Sequence, residues 1–211
     1  MLTKKKLLRN SRLYLILDAQ VNSYSELFEI AKKAVLGKVD IVQLRDKSGN
    51  IKDILKFSEK LKKLTDGKMP FILNDRPDLA LAVSASGVHV GQDDIPIKYA
   101  RKILGKNAII GVSCQNYIHA QKAQDDGADY VGLGSIYKTL TKPDRQPMDV
   151  DLIKKITKNI KIPVFAIGGI QISNIAEVKI FGIERFAVCR AICQAKDIDK
   201  AIDDFKKAIQ A

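Results

Sequence analysis

The sequence predicts a single (β/α)8 barrel. Eight short apolar runs alternate along the chain with eight stretches whose apolar residues recur at helical spacing. Most of the runs are continuously apolar, the pattern of parallel strands buried on both faces. Eight such units in 211 residues fit a compact closed barrel. An open doubly wound sheet is the structural rival, but the first strand lacks a G-x-G-x-x-G turn and no G-x-x-x-x-G-K-[ST] occurs.

In order, the first strand is expected at 13–17, stopped by Asp18, and a helix at 25–36 carries Leu27, Ile30, Ala31, Ala34 and Val35 on one face before Gly37. Strand two, 39–44, runs into Gln43-Leu44-Arg45-Asp46-Lys47, and the helix at 51–64 follows. Strand three, 71–73, ends in Asn74-Asp75-Arg76; Pro77 then opens a short helix at 77–83, where its missing N–H costs nothing. Strand four, 87–91, ends in Gln92-Asp93-Asp94. A helix at 97–104 precedes strand five, 108–112, which ends in Ser113-Cys114. The remainder reads as helix 118–126, strand 130–133, a polar loop 134–147, helix 150–157, strand 164–167, Gly168-Gly169, helix 172–181, strand 185–188 and a last helix at 198–209.

Size and composition favour one catalytic domain over 1–211, with 1–11 as a basic N-terminal extension. Hydrophobic residues at 46% and charged residues at 28% are ordinary for a globular chain. The opening Lys4-Lys5-Lys6 is followed by an apolar run too short for a signal peptide or a membrane span, so a cytoplasmic location with no membrane partner is expected. Cys114, Cys189 and Cys193 form no disulfide framework, and without further ligands nearby they make no zinc site. The net charge of +12 raises the question of nucleic acid. Lys52, Lys56, Lys60 and Lys63 recur as a solvated helix face does, however, and no nucleic-acid signature accompanies them, so none is expected as a partner. A homo-oligomer is left open.

In barrels of this kind the active site lies at the carboxyl ends of the strands. Those ends carry Asp18; Gln43, Arg45 and Lys47; Asn74 and Asp75; Gln92, Asp93 and Asp94; Ser113; Gly134 and the loop with Thr139, Thr141 and Lys142; Gly168 and Gly169; and Cys189 with Arg190. Asp75 with Asp93-Asp94 suits magnesium, a hard cation that takes one or two carboxylates and leaves room for phosphate oxygens. Arg45 and Lys47 could hold the rest of a diphosphate, and Gly168-Gly169 allows backbone N–H groups to approach a second phosphate. Each piece has a plainer reading: Asp75-Arg76 as a helix start, His89 as a satisfied core histidine, Cys114 as packing. What favours function is convergence, because surface charge has no reason to gather at the same end of successive strands.

The stretches VQLRDK (42–47), FILNDRPDLALAV (71–83), GVHVGQDD (87–94), GVS (111–113), TLTKPD (139–144) and AIGGI (166–170) resemble, in this order, the thiamin phosphate synthase family over essentially the whole chain. The resemblance implies a transferase joining a hydroxymethylpyrimidine diphosphate to a thiazole phosphate, with release of pyrophosphate. It implies that Gln43, Arg45, Lys47 and Asn74 hold the pyrimidine diphosphate and that Asp75 and Asp94 are magnesium ligands. It further implies that Ser113 lies near the reacting pyrimidine and pyrophosphate, that Thr139 and Thr141 meet the thiazole phosphate, that Lys142 meets pyrophosphate, and that Gly169 offers a backbone phosphate contact. Arg45, Lys47, Ser113 and Lys142 are then the catalytic set, and Cys189 and Arg190 join the substrate-binding one. The implied reaction is dissociative: pyrophosphate leaves a stabilised pyrimidine cation, to which the thiazole nitrogen adds, with no protein nucleophile. Two positions depart from the family pattern. Arg190 stands where a small serine is usual, and either adds a bidentate phosphate contact or points outward; Lys138 stands where proline is common. Alternative readings are a thiazole phosphate isomerase of the same fold, which needs a general base where this chain has Gln115 and not histidine, and a non-catalytic ligand sensor.

Overall fold

The computed structural model describes residues 4–141 and 145–211. Eight parallel strands close into a barrel in sequence order, with the eighth paired to the first. They are β1 (Leu13–Asp18), β2 (Ile41–Arg45), β3 (Phe71–Asn74), β4 (Gly87–Val90), β5 (Ile109–Cys114), β6 (Tyr130–Leu133), β7 (Val164–Ile167) and β8 (Phe186–Val188). The helices are α1 (Lys4–Asn10), α2 (Tyr24–Leu36), α3 (Ile51–Thr65), α4 (Pro77–Ala82), α5 (Ile97–Leu104), α6 (Tyr117–Asp125), α7 (Val150–Asn159), α8 (Ile175–Ile180), α9 (Arg190–Cys193) and α10 (Ile198–Gln210). Ser23, Asn50, Asp149 and Asp197 cap α2, α3, α7 and α10 through side-chain oxygens that accept a first-turn N–H. No helix among the described residues is long and apolar enough to cross a membrane.

The two-residue period of a strand sorts the side chains. Leu13, Leu15 and Leu17 of β1 face the helices, with Val42, Leu44, Leu73, Val88, Val112, Cys114, Val131 and Ala166 from the other strands. Tyr14, Ile16, Ile41, Ile72, Ile109, Tyr130, Phe165 and Ala187 fill the bore. The same parity turns Asp18, Gln43, Arg45, Asn74, His89 and Ser113 inward, above that apolar floor, where they line a cavity. It turns Cys114 outward into packing, where burial lifts its thiol to about 12.

Three aromatic rings make the floor. Tyr14, Tyr130 and Phe165 meet edge to face at centroid separations of 5.8, 5.5 and 5.4 Å. Room for Tyr130 comes from glycine on the neighbouring strand β5, since a Cβ at Gly111 would lie 2.0 Å from Tyr130 Cζ. Beneath, Leu8 of α1 joins the bore residues and is 1% exposed. The end of α1 is held by Ser11, whose hydroxyl donates to the Leu7 carbonyl, and by Arg12 and Arg185, which both donate to the Arg9 carbonyl.

Several boundaries differ from the sequence reading. Residues 39–40 precede β2 because Asp40 turns its carboxylate to the backbone N–H groups of Arg12 and Leu13, at 2.8 and 2.9 Å. Gly91 leaves β4 because its N–H donates to Asp94 Oδ2 at 2.7 Å. The helix expected at 172–181 begins as a 3-10 turn, Ile172–Asn174, before α8. Helices α1 and α9 were not expected; the first lies within the stretch read as an extension.

Candidate active site

The barrel floor carries a continuous hydrogen-bonded chain. Gln43 Nε2 donates to Tyr14 Oη at 2.7 Å, Tyr14 Oη lies 2.9 Å from Tyr130 Oη, and Tyr130 Oη lies 3.0 Å from His89 Nδ1. On its other side, His89 Nε2 lies 2.9 Å from Ser113 Oγ. Both tyrosine hydroxyls are fully buried, and burial pushes both phenols well above their ordinary range. Gln92 Nε2 donates to the Ser113 carbonyl at 2.6 Å, which fixes the serine backbone.

Beside this chain, register places Asp18 opposite Arg45. Arg45 Nη1 donates to Asp18 Oδ2 at 2.6 Å and to Gln20 Oε1 at 3.0 Å. Asp18, at the end of the first strand, is fully buried and serves as a clamp under the guanidinium. A guanidinium has five N–H donors in a fixed fork, so Arg45 keeps donors for an anion in the cavity it lines. Asn74 is buried too, and its Nδ2 has no hydrogen-bond partner. A buried amide donor left unmade is costly unless a ligand completes it.

The next residue, Asp75, has φ +59, a left-handed turn that aspartate tolerates better than most residues. Its backbone N–H donates to the His89 carbonyl at 2.8 Å, and its Oδ2 lies 2.6 Å from Lys47 Nζ. Burial raises the Asp75 carboxyl, Lys47 lowers it, and the neighbouring Asp94 carboxylate raises it again. The two carboxylates expected to meet are therefore adjacent. Two carboxylates beside a cavity lined by Arg45 could hold a hard cation such as magnesium, which takes one or two carboxylates and keeps water and substrate oxygens for its other positions. Among the described residues, no group of three or more histidine, cysteine, aspartate or glutamate side chains is arranged to hold a metal ion by itself. Asp93, between the two acids in sequence, is exposed.

The opposite wall comes from the loops after β6, β7 and β8. The Ile136 and Tyr137 N–H groups donate to the Ile167 and Gly168 carbonyls at 2.9 and 3.0 Å, tying the sixth loop to the seventh. Gly169 has φ +67, and a Cβ there would lie 2.6 Å from Tyr137 Cβ, so only glycine fits between the loops. Thr139 Oγ1 accepts from the Thr141 N–H at 3.3 Å. Arg190 Nε lies 3.4 Å from Thr141 Oγ1 and Nη1 lies 3.2 Å from Gln194 Oε1. Of the two courses open to Arg190, the structure has it lining the cavity.

One cavity of about 400 Å³ thus joins Gln43, Arg45, Asn74, Ser113, Thr139, Thr141, Gly169, Cys189 and Arg190. Lys47, Asp75 and Asp94 form a cluster just beyond the wall residue Asn74. Lys142 lies outside the described residues. Sequence reasoning missed Tyr14, Tyr130, Arg145, Gln171 and Gln194, which also line the cavity. A tyrosine inside an apolar strand was the available signal, since a buried phenol needs a polar partner. Gln115, turned so that its amide oxygen accepts, faces Arg145 Nε at 2.8 Å.

A family model described as thiamine monophosphate synthase matches residues 13–192. A thiamine-phosphate synthase of Clostridium tetani is 39% identical over 193 residues, 91% of this chain and 92% of that protein. One of Clostridium acetobutylicum is 43% identical over 192 residues, 90% of this chain and 91% of that protein. Among solved structures, a thiamine phosphate pyrophosphorylase from Pyrococcus furiosus superposes with a TM-score of 0.87 at 34% identity, covering 98% of this chain and 97% of that one.

Proposed function

The chain belongs to the thiamine monophosphate synthase family and is a transferase that condenses a hydroxymethylpyrimidine diphosphate with a thiazole phosphate, giving thiamin phosphate and pyrophosphate; from that premise we propose how its residues divide the work. Gln43 and Asn74 receive the pyrimidine diphosphate in the floor of the cavity, and the unpartnered Asn74 amide is completed by it. Arg45 takes diphosphate oxygens with the donors that Asp18 and Gln20 leave over. Lys47 and Lys142 add positive charge as pyrophosphate departs, and Ser113 donates to it. Asp75 and Asp94 would hold Mg2+, which when bound supplies charge neutralisation to the leaving diphosphate.

The reaction is dissociative in this reading. Departure of pyrophosphate leaves a pyrimidine cation at the carbon that carried it, and the thiazole nitrogen, brought by Thr139, Thr141, the Gly169 backbone and Arg190, adds to that carbon. The chain needs to supply electrostatic stabilisation and alignment, not a nucleophile. Residues 1–211 act as one catalytic unit, in a reducing compartment such as the cytoplasm, consistent with Cys114, Cys189 and Cys193 all being free.

The observation that carries this reading is the adjacency of Asp75 to Asp94 and Lys47, next to Asn74, whose buried Nδ2 has no partner. The test is a coupled pyrophosphate assay with each substrate omitted in turn. Release is expected only with both substrates and magnesium present, and Asp75→Ala or Asp94→Ala should nearly abolish it with the circular dichroism spectrum unchanged. Full activity in excess chelator would remove magnesium from the account. Thiazole phosphate binding without turnover would mark a sensor.

A further inference from the structure

We propose that His89 is a positioning residue for Ser113: as the neutral Nε2–H tautomer it donates to Ser113 Oγ and thereby turns the serine hydroxyl proton into the cavity, toward the diphosphate. This rests on the reading of the site given above, in which the cavity holds an anion.

The direction of the chain follows from counting protons. An amide nitrogen can only donate, so with Gln43 Nε2 at 2.7 Å, Tyr14 Oη is an acceptor there. Its own proton then has one buried partner to go to, Tyr130 Oη at 2.9 Å. Tyr130 Oη, having accepted, gives its proton to His89 Nδ1 at 3.0 Å. Nδ1 is therefore the unprotonated nitrogen, and Nε2 carries the hydrogen that reaches Ser113 Oγ at 2.9 Å. Burial keeps both phenols protonated, as this sequence of bonds requires. Running the chain the other way would have Gln43 and Tyr130 both donate to Tyr14 Oη and leave the Tyr14 proton neither of these partners as an acceptor.

The chemistry at the upper end favours the same direction. If Ser113 gave its proton to Nε2, the oxygen would face the cavity with lone pairs, against a polyanion. With Nε2–H donating, Ser113 is obliged to donate outward, and Gln92 on its carbonyl holds the serine main chain while it does so. The alignment is set before the ligand arrives, which is what makes such a donor effective as charge develops. Sequence reading took His89 for a satisfied core histidine; it is satisfied, and the bond that satisfies it orders the serine.

The chain has two histidines, so a nitrogen-15 histidine NMR spectrum of the whole protein, with a His119→Gln sample for assignment, reads the tautomer directly. Expected are a pyridine-type Nδ1 and a pyrrole-type Nε2 for His89, shifting toward a tautomer mixture in Tyr130→Phe. A protonated Nδ1, which would also follow from a Gln43 amide turned the other way, or an imidazolium at neutral pH overturns the proposal. Kinetics supply the second measure. His89→Gln reaches the serine with an amide N–H and should keep kcat within about tenfold; His89→Asn has the same amide but is too short to bring it to Ser113, and should lose on the order of a hundredfold, as Ser113→Ala does. KM should change little in each, and His89→Asn combined with Ser113→Ala should lose no more than either alone. Losses that multiply would show that His89 does not act through Ser113. If the unaltered protein released no pyrophosphate, the reading of the site would fail while the tautomer remained measurable.

Discussion

Removing the Asp18 carboxylate should damage the fold and the site together. Asp18 is fully buried and the Arg45 side chain is 10% exposed, so deleting one charge leaves the other enclosed and unpaired. At an effective dielectric near 20, two unit charges about 4 Å apart attract by about 4 kcal/mol. Breaking a buried pair by removing one partner costs about 3–5 kcal/mol, in agreement. For a chain of this size each kcal/mol is about 2–4 °C of Tm, so Asp18→Ala should melt roughly 6–20 °C lower. Asp18 also accepts the Gln20 N–H at 3.0 Å, so the loop after β1 loosens with it. The assay is thermal and denaturant unfolding beside the pyrophosphate assay. A companion variant, Asp18→Asn with Arg45→Met, removes both charges and should recover most of the stability while remaining inactive. A loss below about 1 kcal/mol in Asp18→Ala, the value of an exposed pair, would refute the reasoning.

Two further outcomes follow from the same geometry. The Asp75 carboxyl is raised by burial and by Asp94 against the lowering effect of Lys47, so its contribution to stability is complete below the ordinary carboxylate value and is lost as pH rises through the raised one. The metal-free protein should therefore lose Tm as pH climbs from the ordinary carboxylate range, Mg2+ should restore most where the loss is greatest, and Asp94→Asn should flatten the profile; calorimetry showing a rise in metal-free Tm over that window would reject the pairing. Gly169→Ala places a Cβ 2.6 Å from Tyr137 Cβ at φ +67, a strain of about 1–3 kcal/mol. It should raise KM for the thiazole phosphate by about tenfold and leave KM for the pyrimidine diphosphate nearly unchanged in initial-rate measurements.

The strands were legible because burial on both faces writes itself as unbroken apolar runs, and their order followed from helices between them. Once β2 is a strand, Gln43 and Arg45 share a face, and the same parity delivers Asn74 and Ser113. Less visible was which polar residues work on ligands and which hold other residues. Asp18 and Arg45 both end strands, yet registration opposite each other makes one the support of the other. Tyr14 and Tyr130 lay hidden inside runs whose apolar character they share, and only three-dimensional closure brings their hydroxyls within reach of Gln43 and His89. Helix α9, four residues long, is too short to show a period, and α1 opens with three lysines that mask the contribution of Leu8.

Among the described residues, Leu8 and three aromatic rings fill the lower bore, so the cavity has its floor there and its walls in the loops at the carboxyl ends of the strands. In the proposed reading, a reactant seated on the tyrosines lies deeper than one held by Thr139, Thr141 and Arg190, and would be covered by it. Depth alone would then favour an order of arrival, with the deeper reactant first.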